Sequence, residues 1–129
     1  MSILIKSVRD LEVYKLAFAA AMQIFEITKK FPSDEKYSLI DQIRRSSRSV
    51  CSNLSEGFKK RAYIAAFKSK LADSMQEASE TQTWLDFSLA CKYITKEIFE
   101  DLDQQYEVIL AKLNNMDMKA ETFCFKPRK

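Results

Sequence analysis

The sequence has 129 residues, of which 47% are hydrophobic and 30% are charged, and a formal net charge of +3; these values suit one globular domain. One glycine and two prolines are too few for the many turns of a sheet protein, so they favour long helices. The absence of histidine excludes Ser-His and Cys-His nucleophilic catalysis, histidine metal sites and the histidine-containing sites of di-iron bundles.

The first predicted helix runs from about Val8 to Lys29, behind a capping pair formed by Ser7 and Asp10. It carries two apolar stripes at helical spacing. One stripe is Leu11, Tyr14, Phe18, Ala21, Phe25 and Thr28, and the other is Val13, Ala17, Ala20, Ile24 and Ile27. Both stripes can serve a four-helix core, or one can face the core and the other a partner subunit.

Phe31 and Pro32 are predicted to end the first helix, and Ser33 to cap the second. The predicted inner face of the second helix is Leu39, Ile43, Val50 and Leu54. Several serines on this helix would let a neighbouring helix approach closely. Gly57, the single glycine, is predicted to adopt the left-handed conformation that ends many helices.

A third helix is predicted from about Ala62 to Lys92, and Thr95 is predicted to cap a fourth. The seam of the fourth helix is Phe99, Leu102, Tyr106, Ile109 and Leu113. The chain from Asn114 onward shows no clear period. We therefore predict an all-α, antiparallel up-down-up-down four-helix bundle over residues 1–115, followed by a basic, partly mobile tail over residues 116–129.

Three cysteines at wide spacing do not indicate a disulfide framework. Cys51 and Cys91 are predicted to be small core residues, whereas Cys124 falls in the tail and has no assigned role. No apolar run approaches the roughly 18–20 residues that span a bilayer, and the N-terminus lacks the pattern of a signal peptide. We therefore expect a cytoplasmic protein without membrane contact.

The charges are unevenly placed along the chain. Residues 41–70 contain eight basic and two acidic residues, whereas residues 71–107 contain two basic and nine acidic residues. The candidate phosphate-binding residues are Arg44, Arg45, Arg48, Lys59, Lys60 and Arg61. In the predicted topology, further basic residues near the termini gather at the same end: Lys6, Arg9, Lys126, Arg128 and Lys129. Alternatively, these charges only pair with acidic residues, as Arg44 or Arg45 could with Glu77 or Glu80 inside an assembly.

The segment from Phe31 to Phe58 resembles the four-helix-bundle family encoded in intervening sequences of the 23S ribosomal RNA gene. The matching residues are Phe31, Pro32, Glu35, Tyr37, Leu39, Gln42, Arg44, Arg45, Ser49, Asn53, Glu56 and Gly57. The resemblance covers roughly residues 8 to 113, and it implies a ring-shaped homopentamer without enzymatic activity. Related bundles are accessory proteins of diversity-generating retroelements, which bind a reverse transcriptase and nucleic acid through basic surfaces.

Asn53 and Glu56 could form a small ligand or catalytic site, but a buried polar network that fixes the following turn, together with Gly57, is the favoured interpretation. Glu77 and Glu80 are too few ligands for a metal site. The leading hypothesis is a non-enzymatic, self-assembling ring, without cofactor or metal, that presents a basic surface to RNA, DNA or a reverse transcriptase. The alternative is a protein-binding scaffold or adaptor that does not contact nucleic acid.

Overall fold

The computed structural model describes residues 5–125. Its long helices are α1 (Glu12–Thr28), α2 (Leu39–Lys59), α3 (Ile64–Ala90) and α4 (Lys96–Met118). A short α5 (Ala120–Phe123) and two 3-10 helices, Val8–Asp10 and Ser33–Glu35, complete the helical structure, and residues 5–125 contain no strand. The predicted all-α class is confirmed. None of the described helices combines the length and the apolar character needed to cross a membrane.

The four long helices form a bundle around one core, because α1 and α3 each pack against both α2 and α4. Each long helix contributes fully buried side chains, such as Ile24, Leu54, Phe67 and Tyr106. Burying a large apolar side chain contributes about 1.5–3 kcal/mol, so this shared core is the main source of stability.

The two apolar stripes of α1 have different environments. Val13, Ala17, Ala20 and Ile24 of the second stripe are buried. In the first stripe, by contrast, the side chain of Phe18 is 51% exposed. Leu11, Ala21 and Thr28 of the first stripe are buried as well, so both stripes contribute to the core, and Phe18 in the middle of the first remains on the surface.

The caps that the sequence predicts at Ser7 and Thr95 are both formed in the structure. The Ser7 hydroxyl accepts from the Arg9 amide, and the Ser7 amide donates to the Asp10 carboxylate at 3.0 Å. This capping box begins the 3-10 helix, and α1 starts only at Glu12. At α4, the Thr95 hydroxyl accepts from the Ile98 amide at 3.2 Å, so its predicted capping role is confirmed.

The predicted start of the second helix is wrong. Ser33 begins a 3-10 turn, and α2 starts at Leu39. The intervening chain is held by the Glu35 carboxylate, which accepts from the Ser38 hydroxyl at 2.6 Å and the Tyr93 hydroxyl at 2.8 Å. Both bonds hold the pKa of Glu35 below its usual value, with Ser38 the larger cause. The segment before α2 is thus tied to a residue 58 positions away, a contact that the local capping pattern does not reveal.

The predicted left-handed conformation of Gly57 is also wrong. Gly57 lies inside α2, and no described glycine has positive φ. A Cβ added at Gly57 would lie 3.0 Å from the Cβ of Lys70 on α3. Close approach of α3, rather than turn geometry, therefore favours a glycine here.

Small residues also bring α2 and α3 together elsewhere, as the serine content of the second helix predicts. The hydroxyls of Ser46 and Thr81 lie 2.8 Å apart, and the Ser74 hydroxyl donates to the Val50 carbonyl at 2.7 Å. These buried hydroxyls all have partners, which removes the cost of burying them unpaired.

The end of the chain is more helical than predicted. The prediction that the chain is aperiodic from Asn114 onward is wrong, because α4 continues to Met118 and α5 follows. Met116 and Ala120 are buried, and their spacing from Leu113 extends the 3,4 seam of α4. The predicted tail residues Lys126, Arg128 and Lys129 lie outside the described residues.

The cysteines differ from one another. Cys51 is buried, as predicted, and burial raises the pKa of its thiol to about 11. The prediction that Cys91 is a core residue is wrong, because it follows the last residue of α3 and is exposed. Cys124 is half-buried.

Candidate functional site

The six predicted phosphate-binding residues fall into two groups on the surface. Arg44, Arg45 and Arg48 lie in the first half of α2, whereas Lys59, Lys60 and Arg61 lie at its end. Arg45, Arg48, Lys59 and Lys60 are exposed, while Arg44 and Arg61 are half-buried.

The first group lines a shallow groove on α2. We call it the α2 groove; it has a volume of about 540 Å³, and its principal residues are Lys36, Tyr37, Arg44, Arg45 and Arg48. The ring of Tyr37 is 84% exposed, and the Lys36 ammonium lies 5.3 Å from its centroid. The groove therefore offers several cations beside an aromatic ring.

Arg44 is largely committed to holding α1 and α2 together. Its Nε donates to the Thr28 hydroxyl at 2.8 Å, and one terminal nitrogen donates to the Phe25 carbonyl at 3.3 Å. Its guanidinium carbon also lies 4.8 Å from the centroid of the Phe25 ring. Arg45 and Arg48 are therefore the better placed of the three to contact an external anion.

The second group contributes to a larger opening, which we call the basic cleft, lined principally by Lys6, Arg9, Lys59, Arg61 and Phe125. Its volume is about 710 Å³. Lys60, next to Lys59 in the chain, does not line it. The structure thus brings two basic residues near the N-terminus to the end of α2, across about fifty residues of sequence.

Asn53 and Glu56 converge on Lys70 of α3, a residue that no sequence pattern singles out. The Lys70 ammonium lies 2.7 Å from the Glu56 carboxylate, 3.7 Å from that of Asp73 and 3.4 Å from the Asn53 side-chain oxygen. The hydrogen bond and charge of Lys70 lower the pKa of Glu56. This cluster joins α2 to α3, but Glu56 is exposed, so the cluster is not a buried network.

The pKa of Glu77, on α3, is shifted in opposite directions by its surroundings. Burial and the nearby Glu80 raise the pKa of Glu77, whereas the charge of Arg45 lowers it. Within residues 5–125, neither Arg44 nor Arg45 forms an ion pair with Glu77 or Glu80. That part of the chain also holds no cluster of three or more potential metal ligands.

Acidic residues are crowded on the α3–α4 side of the bundle. Burial, followed by the charges of Glu107 and Asp86, raises the pKa of Asp103. Gln82 partly offsets this, since its amide donates to Asp103 at 3.2 Å. Ion pairs such as Lys70 with Glu56 and Lys68 with Asp117 neutralise some charges locally, but the carboxylates around Asp103 help to raise its pKa rather than pairing with cations.

An apolar groove between α1 and α2 is a further surface feature. Its principal residues are Tyr14, Phe18, Met22, Arg48 and Cys51, and its volume is about 480 Å³. Phe18 and Met22 are 51% and 45% exposed. Arg48 lines both this groove and the α2 groove, and Tyr14 lines both this groove and the basic cleft. The three surfaces are therefore contiguous.

Comparison with known proteins gives a family and a fold. The family model described as 23S rRNA-intervening sequence protein matches residues 9–115. A crystal structure of a protein with unknown function from the S23 ribosomal protein family of Bacteroides thetaiotaomicron VPI-5482 is 27% identical, with a TM-score of 0.73. That match covers 81% of this chain and 97% of the other. No protein with curated annotation matches this chain.

Proposed function

This chain belongs to the 23S rRNA-intervening sequence protein family, and from that premise we propose that it is a non-enzymatic, ring-forming bundle. In this proposal five copies assemble in the cytoplasm and present basic surfaces to RNA, DNA or an enzyme such as a reverse transcriptase that acts on them. The observation that carries the proposal is the position of Arg48, which lines both the apolar groove and the α2 groove.

Assembly through the apolar groove would repeat the α2 groove around the ring. Exposed side chains such as Phe18 and Met22 gain free energy when a partner removes them from water. Each added subunit would then contribute further weak phosphate contacts, so binding would strengthen through multivalency.

The proposed antiparallel, up-down-up-down order of the helices is supported by contacts that run in opposite directions along neighbouring helices. Ser46 of α2 meets Thr81 of α3, whereas Gly57, further along α2, approaches Lys70, which is earlier in α3. Phe31, just after α1, lies 5.1 Å from the ring of Tyr93, just after α3.

Titration of labelled RNA and DNA at two salt concentrations tests the proposal. Arg45→Ala with Arg48→Ala should weaken binding and reduce the log–log salt slope by about 0.7–0.9 for each phosphate that is no longer neutralised. Lys96→Ala with Lys119→Ala is the matched control, because it removes two exposed charges from the α4 region. Light scattering on each variant distinguishes weaker phosphate binding from failure to assemble.

Absence of wild-type binding at low salt would reject the nucleic-acid proposal and favour a protein-binding scaffold. A second apolar surface supports that alternative. Phe87 is 53% exposed beside Trp84, with ring centroids 5.9 Å apart, and both line a depression between α2 and α3.

A further inference from the structure

We propose that the basic cleft binds a single nucleotide, holding its phosphate with Arg9, Lys59 and Arg61 and its unpaired base against Phe125. This inference deepens the proposed function and rests on it for the nucleic-acid partner. The nucleotide can be free or part of a single strand, since both present the same phosphate and base.

The charge of the cleft is largely uncompensated. Lys6, Arg9, Lys59 and Arg61 line it, and none of them forms an ion pair with another described residue. The carboxylate of Glu56 also lines the cleft, but the Lys70 ammonium engages it at 2.7 Å. An anion entering the cleft therefore meets several cations and one carboxylate that is already paired.

Arg61 is held in a fixed orientation. Its Nε donates to the Phe58 carbonyl at 2.8 Å, and its guanidinium carbon lies 3.6 Å from the centroid of the Phe58 ring. Its terminal nitrogens make no hydrogen bond to the described residues, so they remain available to a phosphate. Arginine can hold phosphate oxygens with two parallel bonds, and a fixed guanidinium loses little entropy in doing so.

Phe125 supplies the surface for a base. Its amide donates to the Arg61 carbonyl at 3.1 Å, which fixes its backbone beside the cleft, yet its side chain is 57% exposed. Bases stack on exposed aromatic rings with little sequence preference, and alanine substitution of such rings costs about 1–3 kcal/mol per base. The guanidinium carbon of Arg61 lies 5.3 Å from the centroid of the Phe125 ring, so a base would stack on the part of the ring that Arg61 leaves exposed.

The dimensions of the cleft favour one unpaired nucleotide over a duplex. Its volume of about 710 Å³ is within the roughly 300–1,000 Å³ typical of small-molecule sites. In a duplex the bases are stacked on one another and cannot offer a face to Phe125. We therefore expect a preference for single strands that the open α2 groove does not have.

The experiment combines isothermal titration with adenosine monophosphate and inorganic phosphate, and fluorescence titration with a labelled single strand and its duplex. Phe125→Leu should weaken single-strand and adenosine monophosphate binding by about fivefold or more, leaving duplex binding unchanged. Lys59→Ala should weaken binding of adenosine monophosphate, inorganic phosphate and the single strand. Lys119→Ala is the matched control, because it removes an exposed lysine charge that does not line the cleft and should have little effect.

The outcomes separate this inference from the proposed function. Binding of adenosine monophosphate that depends on Phe125 would support the site, and comparison with the single strand identifies the source of the nucleotide. Equal affinities for phosphate and adenosine monophosphate, or equal effects of Lys59→Ala and Lys119→Ala, would overturn the cleft proposal. If Arg45 and Arg48 still governed strand binding in that case, the proposed function would survive. No wild-type binding of any of the four ligands would reject both.

Discussion

Single residues in this protein combine packing and charge in ways that residue type alone does not reveal. Arg44 and Arg61 are both basic residues in a basic segment, yet each directs its Nε to an oxygen of the bundle and stacks on a phenylalanine. Lys59 and Lys60 carry the same charge as neighbours, but only Lys59 lines the basic cleft. Position relative to α1 and the N-terminal segment decides which cation an anion can reach.

Gly57 gives a prediction at this scale. Gly57→Val should lower the free energy of unfolding by about 1–3 kcal/mol, because the new side chain must displace the Lys70 Cβ that already lies 3.0 Å from a Cβ at this position. Urea denaturation measures the decrease. Ser52→Val is the control, since Ser52 is exposed on the same helix and should change stability much less. Equal stability of wild type and Gly57→Val would show that α3 can move away without cost.

Helices α1 and α2 are joined by a polar contact within an otherwise apolar interface. The buried Thr28 hydroxyl donates to the Ile24 carbonyl at 2.8 Å and accepts from the Arg44 Nε at 2.8 Å. Thr28 is the last residue of the first apolar stripe of α1, and its hydroxyl is a polar group within that stripe. The pairing adds a directional constraint to the packing of the two helices, because both of these hydrogen bonds of the Thr28 hydroxyl require one geometry.

Thr28→Val tests the energetic weight of that contact. The substitution preserves shape but removes the acceptor of the Arg44 Nε, so it should destabilise the protein by about 1–3 kcal/mol. Thermal or urea unfolding provides the measurement. Thr83→Val is a matched control, because the Thr83 hydroxyl donates to the carbonyl four residues earlier but is exposed. A destabilisation no larger than that of the control would show that the Arg44–Thr28 contact contributes little to helix packing.

The whole molecule has an asymmetric surface, with basic residues on α2 and near its end and acidic residues crowded on the α3–α4 side. The apolar groove joins the α2 groove to the basic cleft, so assembly and anion binding would involve neighbouring surfaces. Because surface charges act at longer range than apolar contacts, oppositely charged surfaces would orient successive copies in the proposed ring before they touch.

Light scattering at micromolar concentration should give a mass near five times the 15.0 kDa of one chain. Phe18→Glu should shift the mass towards 15.0 kDa while circular dichroism remains that of the folded helices, because Phe18 is exposed in the single chain. Phe87→Glu is the control, since that phenylalanine is similarly exposed but lies on α3. A monomeric wild type would contradict the ring and leave the apolar groove to another partner.

Features that depend on residues within one or two helical turns could be predicted from the sequence. Ser7 with Asp10 and Thr95 with Ile98 cap across three residues, and the buried seam of α4 follows from its spacing. The same spacing continues through Met116 and Ala120, although the prediction ended the bundle before them. Interactions within a helix join residues three or four positions apart, so a short stretch of sequence is enough to predict them.

The sequence by itself thus determined the all-α class, the approximate helices, the uneven charge and the absence of histidine chemistry. Only the tertiary structure decided that Gly57 serves a close helix crossing, that Glu35 and Tyr93 hold the start of α2 in place, and that Arg44 binds Thr28. The sequence predicted that Lys6 and Arg9 lie at the same end of the bundle as Arg61, but only the tertiary structure placed them with Phe125 around one cleft. These relations join residues far apart in the chain, and their distances depend on how whole helices dock, which no local pattern encodes.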